Sequence, residues 1–246
     1  MNTILVTIIY RMFLLVCFSL LGIIHAQDLK IEKLTRNFYI YTSYGTYQGK
    51  SYPANGMFVL SREGAILIDT PWNPKDYQTL VDTIRVRFKK EIKLVVGTHW
   101  HDDRAGGFSF FIQKDIPTYA TSLTNKFLKE NNMVVAENVL QINKIQNLGN
   151  IRFKIIYPGV GHTKDNILIW FPDQKVLYGG CFVRSVMAES IGNYKDGDPE
   201  LWLKNMQWTR KTFKKAVYVI PGHDEWKGSN QLKRTEDLLI EFTSKK

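Results

Sequence analysis

The sequence predicts an α/β fold in which helices cover the outer faces of strand-rich layers. Short apolar runs of strand length alternate with segments whose apolar residues recur at helical spacing. The order of these segments (a hairpin, a helix and then a buried strand) occurs twice along the chain. No linker or low-complexity stretch divides residues 27–246, so we expect one layered domain there.

The first 26 residues have the pattern of a secretory signal peptide. Arg11 precedes an apolar run over residues 12–24, and Ala26 offers a small-residue cleavage site. We therefore expect export to the periplasm and no stable membrane insertion after cleavage. An uncleaved membrane anchor and a lipoprotein site at Cys17 are the alternatives. Cleavage would leave four of the five histidines and one of the two cysteines, which excludes an intrachain disulfide.

The first half of the domain is predicted to open with strands. β-Branched and aromatic runs at residues 38–42 and 57–60 indicate strands, and residues 61–64 indicate a turn into a further strand over 65–68. Asn73 followed by Pro74 is typical of a helix start. The apolar residues of that helix recur at helical spacing: Tyr77, Leu80, Val81, Ile84 and Phe88. The fully apolar residues 94–96 then indicate a buried strand.

The second half repeats this order after a predicted helix near residues 123–129 and an alternating strand over 151–155. A hairpin is indicated by apolar runs at residues 167–171 and 176–178. Asp198 and Pro199 predict a second helix start. The apolar face of this helix consists of Trp202, Met206, Thr209 and Phe213. A buried strand over residues 217–220 follows, and an amphipathic helix from Asn230 completes the chain.

The remaining histidines and the remaining cysteine follow apolar strands through turns that contain glycine. They are His99 with His101, His162, Cys181 and His223. Carboxyl ends of strands are where α/β folds usually assemble their sites. We therefore expect these side chains to converge.

Imidazole and thiolate together favour zinc. In the string His99-Trp100-His101-Asp102-Asp103, a spacing of two suits a strand end or a turn, where alternate side chains point the same way. Asp102 is therefore expected to point away, and Asp103 to join the ligands. Six donors exceed one tetrahedral ion and fit two ions with open positions for water. The donors are His99, His101, Asp103, His162, Cys181 and His223.

These motifs resemble those of the metallo-β-lactamases (class B), and within them the first subclass. The resemblance rests on residues 99–107 (HWHDDRAGG), 161–166 (GHTKDN), 179–181 (GGC) and 221–223 (PGH), and covers essentially all of residues 27–246. It implies the four-layer αβ/βα sandwich of that family, with two pseudo-repeated halves. It also implies two zinc sites, one formed by three histidines (His99, His101 and His162) and one by Asp103, Cys181 and His223.

The resemblance further implies roles beside the metal. Arg104 and Cys181 stand where related glyoxalase-type hydrolases have a histidine and a bridging aspartate, which favours a β-lactamase. Asp69 resembles a buried acid that supports the site, and Arg104 is assigned to the same supporting layer. Arg184 replaces the lysine that the family uses to bind the substrate carboxylate, and Asn193 resembles the asparagine near the β-lactam carbonyl. A mobile loop over the site is implied at residues 43–56, although their Tyr, Gly and Ser content is also typical of hairpins.

The expected activity is zinc-dependent hydrolysis of the β-lactam bond of penicillins, cephalosporins and carbapenems by a monomer, which would confer antibiotic resistance. Zinc would lower the pKa of bound water, giving a hydroxide nucleophile that Asp103 helps to orient and Asn193 assists. Two alternatives remain open: a zinc hydrolase of lactones, thioesters or phosphoesters, and a non-catalytic zinc-binding protein. The formal net charge of +10 favours anionic partners, but the scattered lysines form no motif for nucleic acid.

Overall fold

Two sheets form the centre of the structure, a computed structural model that describes residues 29–245. The first sheet contains, in spatial order, β1 (Lys30–Thr35), β2 (Phe38–Tyr47), β3 (Lys50–Leu60), β4 (Ala65–Ile68), β5 (Ile92–Val96), β6 (Thr118–Ala120) and β7 (Asn138–Val139). The second contains, in sequence order, β8 (Ile145–Leu148), β9 (Ile151–Ile156), β10 (Leu168–Phe171), β11 (Val176–Gly180) and β12 (Tyr218–Pro221), with β12 and β8 at its edges. The helices are α1 (Asp76–Phe88), α2 (Asp102–Ala105), α3 (Phe108–Ile112), α4 (Ser122–Glu130), α5 (Pro199–Thr212) and α6 (Gln231–Thr243).

The sheets pack face to face through a shared apolar core. Phe38 of β2 meets Phe171 of β10 edge to face, with ring centroids 4.9 Å apart. The opposite face of the first sheet packs against α1, α3 and α4, and that of the second against α5 and α6. Both faces of the central strands are therefore buried, which explains their fully apolar runs. The predicted αβ/βα sandwich is confirmed.

Two predicted helix starts have different outcomes. Asp198 caps α5, since its side-chain Oδ1 accepts hydrogen bonds from the backbone N–H groups of Glu200 at 2.9 Å and Leu201 at 3.0 Å. The start at Asn73 is wrong by two residues, because α1 begins at Asp76. Asn73 instead forms a turn, with its side-chain oxygen accepting from Lys75 N at 3.2 Å and its carbonyl accepting from Asp76 N at 2.9 Å.

Residues 43–56 belong to a hairpin, the alternative that their composition left open. β2 and β3 pair in an unbroken antiparallel register from Phe38↔Val59 to Tyr47↔Lys50. Asn55 N also donates to Gly222 O at 2.8 Å, so the root of this hairpin is joined to the end of β12. The hairpin therefore brings the first sheet against a predicted metal ligand, His223.

The predicted signal peptide, residues 1–26, lies outside the described part of the chain. Within residues 29–245, no helix combines the length and apolar character needed to cross a membrane.

Candidate metal centre

The strands deliver the predicted ligands to one place between the two halves. β5 leads through Thr98 to His99, and the ends of β11 and β12 lead to Cys181 and His223. Gly180, which precedes the cysteine, has φ +52°, a left-handed conformation that glycine adopts without strain. His162 comes from the connection between β9 and β10. His101 precedes α2, and Asp103 lies in the first turn of that helix.

Three histidines form the first set of donors. His99 Nε2 lies 3.2 Å from His101 Nδ1, and His162 Nε2 lies 3.3 Å from the same nitrogen. Asp103, Cys181 and His223 form the second set. His223 Nε2 is 3.1 Å from Asp103 Oδ2 and 3.3 Å from Cys181 Sγ, and the sulfur is 3.7 Å from the carboxylate oxygen. The structure thus brings all six predicted donors together.

The two sets adjoin. Ligand atoms within 4.8 Å of one another occur in three overlapping triplets: His99 with His162 and Cys181, His99 with His101 and Asp103, and Asp103 with Cys181 and His223. His99, Asp103 and Cys181 therefore lie on the boundary between the sets. One continuous cluster of this kind suits two neighbouring ions.

Outward hydrogen bonds fix which ring nitrogens face inward. The Nδ1–H groups of His162 and His223 can donate to the carbonyl oxygens of Asn193 and Pro53, both at 2.7 Å. His101 Nε2 lies 2.9 Å from Asp196 Oδ2. With these protons outside, His101 Nδ1 and His162 Nε2 present lone pairs to each other at 3.3 Å. Lone pairs at such distances repel unless a cation lies between them.

Zinc fits this donor set. With Zn–N bonds of about 2.0–2.1 Å, tetrahedral ligation places two nitrogens ~3.3 Å apart. The nitrogen pairs of the three-histidine set, at 3.2 and 3.3 Å, match this spacing. Each set offers three protein ligands, which leaves a fourth position open, as in catalytic zinc sites.

The protonation states of the donors also suit a cation. Burial holds the pKa values of His99 and His162 well below the usual range, helped by the neighbouring imidazoles, so both rings are neutral at pH 7. Burial alone would raise the pKa of Asp103, but the adjacent Arg104 guanidinium holds it well below its ordinary value. Burial raises the pKa of the Cys181 thiol, although Arg104 opposes this. The metal-free protein therefore keeps that sulfur protonated.

Arg104 and Asp69 lie behind the second set, both fully buried. Arg104 contacts Asp103 Oδ2 at 2.9 Å and Asp69 Oδ2 at 3.3 Å, and donates to the carbonyl oxygens of Asn55 at 2.7 Å and Gly222 at 2.6 Å. Burial raises the pKa of Asp69 to about 6, against the opposing effect of Arg104. This cationic side chain thus joins strand ends of both sheets directly behind Asp103.

Asp69 also holds Thr98, which connects β5 to the ligand His99. Its carboxylate accepts from Thr98 N at 2.8 Å and from Thr98 Oγ1 at 3.0 Å, next to His99. Tyr178 OH donates to it at 2.7 Å. Asp69 therefore lies at the position of the supporting acid that the resemblance implies. It contacts Thr98, the residue next to the ligand His99.

The two predicted substrate contacts lie beside the donors. The Arg184 side chain is only 14% exposed, and its Nη2 lies 3.9 Å from Asp224, the residue after His223. Its Nε donates to Ser190 O at 3.2 Å. Asn193 accepts from Lys195 N through its side-chain Oδ1 at 3.2 Å, while its backbone carbonyl contacts His162.

Asp196 and Pro53 contact the ligands although the sequence did not point to them. Asp196 reaches His101, and the Pro53 carbonyl reaches His223. Proline's carbonyl carries no sequence signature. An aspartate three residues after Asn193 could have been noticed, because ligating histidines commonly donate their outer N–H to a carboxylate.

Comparison with known proteins decides the family. Residues 50–223 match the model of the metallo-β-lactamase superfamily. Metallo-β-lactamase IND-1 of Chryseobacterium indologenes is 41% identical over 214 residues, which cover 87% of this chain and 90% of that protein. The chain belongs to the metallo-β-lactamase family. A type 2 metallo-β-lactamase of Elizabethkingia meningoseptica is 36% identical over 218 residues, covering 89% of this chain and 88% of the relative.

Solved metallo-β-lactamase structures agree with the fold. The crystal structure of IND-7 superposes with a TM-score of 0.84 at 40% identity, covering 87% of this chain and 99% of that one. The enzyme from Pontibacter korlensis gives a TM-score of 0.83 at 33% identity, with 87% and 99% covered. The family and fold implied by the motifs are thus confirmed.

Proposed function

We propose that the protein uses two zinc ions to hydrolyse the amide bond of β-lactam antibiotics. The observation that carries this proposal is the convergence of six donors in two adjoining sets, with inner lone pairs facing one another. Relatives that cover most of the chain are named metallo-β-lactamases, which supports the same substrate class. Penicillins, cephalosporins and carbapenems are the proposed substrates of a monomer exported to the periplasm through residues 1–26.

Zinc held by these residues would lower the pKa of a bound water to about 7 and polarise the substrate carbonyl. His99, His101 and His162 are suited to hold one ion as neutral imidazoles. Asp103 remains ionised beside Arg104, so its carboxylate can both bind the second ion and accept a hydrogen bond from the attacking water. Cys181 and His223 complete that second set.

Arg184 and Asn193 are proposed to orient the substrate. The guanidinium of Arg184 can donate two parallel hydrogen bonds to a carboxylate, and its partial burial strengthens such a pair. The side-chain NH₂ of Asn193 is proposed to donate to the β-lactam carbonyl oxygen as negative charge develops there. Because Asn193 also contacts His162 through its backbone, substrate contact and ligand orientation share one loop.

Metal analysis paired with hydrolysis assays tests the proposal. Zinc content and turnover of a penicillin, a cephalosporin and a carbapenem are measured before chelation, after it and after zinc is restored. We expect two zinc ions per chain, loss of turnover on chelation and its return with zinc. Undiminished turnover by zinc-free protein would refute zinc catalysis. Zinc binding without β-lactam turnover would refute β-lactams as the substrate class. A panel of lactones, thioesters and phosphoesters then identifies a different hydrolase.

A further inference from the structure

The outward face of α5 combines positive charge with exposed apolar side chains. At 100° per residue, Leu201, Lys204, Trp208 and Lys211 fall within about 100° of arc on the helix. Leu201 is 43% exposed and Trp208 is 46% exposed. The opposite side of α5, with Trp202 and Met206, is buried against the second sheet. The exposed stripe is therefore additional to the side chains that hold the helix in the fold.

Exposed residues of the same types follow the helix along the chain. Lys215 follows α5 and is exposed, and Tyr218, the first residue of the edge strand β12, is 36% exposed. The backbone N–H of Tyr218 donates to Lys175 O at 3.3 Å, which brings another lysine beside it. We call Leu201, Lys204, Trp208, Lys211, Lys215 and Tyr218 the α5 surface.

The one acidic side chain within α5, Glu200, precedes Lys204 by four residues and forms no ion pair with the lysines of this surface. Within residues 29–245, none of Lys204, Lys211 and Lys215 forms an ion pair. The acidic side chains of the adjacent helix α6 have other partners. They pair as Glu236 with Arg210, Asp237 with Lys233, and Glu241 with Lys245. The lysines are thus free to meet an external anionic partner.

We propose that the α5 surface docks on the anionic face of a lipid bilayer. Lysine side chains lie along apolar surface with the ammonium in water, and tryptophan and tyrosine favour the level of the lipid headgroups. A helix with such a face binds in the interface plane by combined electrostatic and apolar contact. Single-stranded nucleic acid instead favours a basic groove with several stacking rings, whereas the stripe is convex and has one tryptophan.

One end of the α5 surface lies away from the metal centre. β11 and β12 run parallel, and the metal ligands follow their carboxyl ends. Lys175 and Tyr218 lie at the opposite ends of these strands. The Tyr218 end of the surface is therefore directed away from Cys181 and His223. The proposal is independent of the substrate of that centre.

Vesicle co-sedimentation tests the docking. The processed protein, residues 27–246, is mixed with phosphatidylcholine vesicles with or without phosphatidylglycerol, over a range of salt concentrations. We expect binding only to the anionic vesicles, weakening with salt, and at least about fivefold weaker for the double variant Lys204→Glu with Lys211→Glu. Lys114→Glu, just after α3, with Lys129→Glu, in α4, makes the same change in net charge on the opposite outer layer. This matched control should bind nearly as well as the wild type.

The six tryptophans allow a second readout. Brominated lipid should quench part of the tryptophan fluorescence of the wild type, and this quenching should be lost in Trp208→Phe while vesicle binding persists. If both double variants weakened vesicle binding equally, binding would depend on net charge alone, and the proposal would be overturned. Absent vesicle binding, quenching that survives Trp208→Phe, or binding of an oligonucleotide but not of vesicles would also overturn it.

Discussion

At the scale of single residues, Cys181 differs from the other ligands in its protonation. Neutral imidazoles at His99 and His162, and a carboxylate at Asp103, are already in the form that binds metal. The buried thiol has a raised pKa, so it must lose a proton when zinc binds. Below the thiol pKa, protons compete with zinc for the sulfur of Cys181. This group alone should therefore lower the zinc affinity of the second set about tenfold for each unit by which the pH falls.

Calorimetric zinc titration in two buffers of different protonation enthalpy measures this proton. Wild-type protein should release about one proton more than Cys181→Ser, since a serine hydroxyl keeps its hydrogen. The variant should retain the fold and the three-histidine set but bind the second ion more weakly. Equal proton release and equal zinc stoichiometry in the two proteins would show that the sulfur is not a ligand.

Asp196 should act as a positioning residue for His101. Its carboxylate accepts the outer N–H of that ring, so removal by Asp196→Ala should weaken zinc at the three-histidine set about 10- to 100-fold. Chelator competition measures the affinity, and cobalt substitution separates the sets, because the thiolate charge-transfer band of Cys181 should persist. Asp196→Asn retains an acceptor and should recover part of the loss. Lys195→Ala, in the same loop, is the matched control, and an effect equal to that of Asp196→Ala would contradict the assignment.

Arg184 should contribute mainly to substrate binding. Arg184→Ala should raise KM about tenfold for β-lactams that carry a carboxylate, while kcat changes little, if the ion pair is equally strong in the ground and transition states. Arg184→Lys should recover part of the affinity because the charge returns without the bidentate geometry. Steady-state kinetics with a carboxylate substrate and its methyl ester provides the comparison. A similar KM change for the ester would contradict carboxylate binding.

At the scale of elements, local signals were sufficient where a single residue decides the geometry. Asp198 at the start of α5 was predicted because its carboxylate can satisfy free N–H groups within three residues. The start of α1 was misplaced because Asn73 satisfies the same local preference in a turn before the helix. The hairpin at residues 43–56 was predicted only as an alternative, because its composition also suits a loop and only the partner strand defines its register.

The cap of α5 gives a stability prediction. Asp198→Ala should lower the free energy of unfolding by about 1 kcal/mol, which corresponds to about 2–4 °C in Tm for a domain of this size. Asp198→Asn keeps a side-chain acceptor and should lose less. Differential scanning calorimetry of the metal-free proteins measures the difference, which avoids the stabilisation that bound zinc adds. An unchanged Tm in Asp198→Ala would contradict the capping role.

At the scale of the whole molecule, the candidate site depends on contacts between distant parts of the chain. The six donors were predictable because the short segments that carry them follow strands, and strand ends converge in layered α/β folds. The contacts that orient the rings join residues 95 and 170 positions apart, as between His101 and Asp196 and between Pro53 and His223. Such pairs follow from how the two sheets face each other, which local sequence patterns do not encode.

Arg104 shows the same dependence on the assembled fold. Its guanidinium contacts the carbonyl oxygens of Asn55 and Gly222 and the carboxylates of Asp69 and Asp103. A buried cation of this kind requires both acids to be in place, since removal of one partner leaves an uncompensated charge. The sequence indicates that Arg104 follows a ligand motif, but only the packed sheets provide its partners.

The central claim is that these six side chains hold two zinc ions in separate sets. A crystal structure of the zinc-loaded protein, with anomalous data collected on both sides of the zinc absorption edge, tests it most directly. Two anomalous peaks should appear, one about 2.1 Å from His99 Nε2, His101 Nδ1 and His162 Nε2, and one bound by Asp103, Cys181 and His223. A single peak shared by both sets, or zinc bound outside these six residues, would contradict the claim.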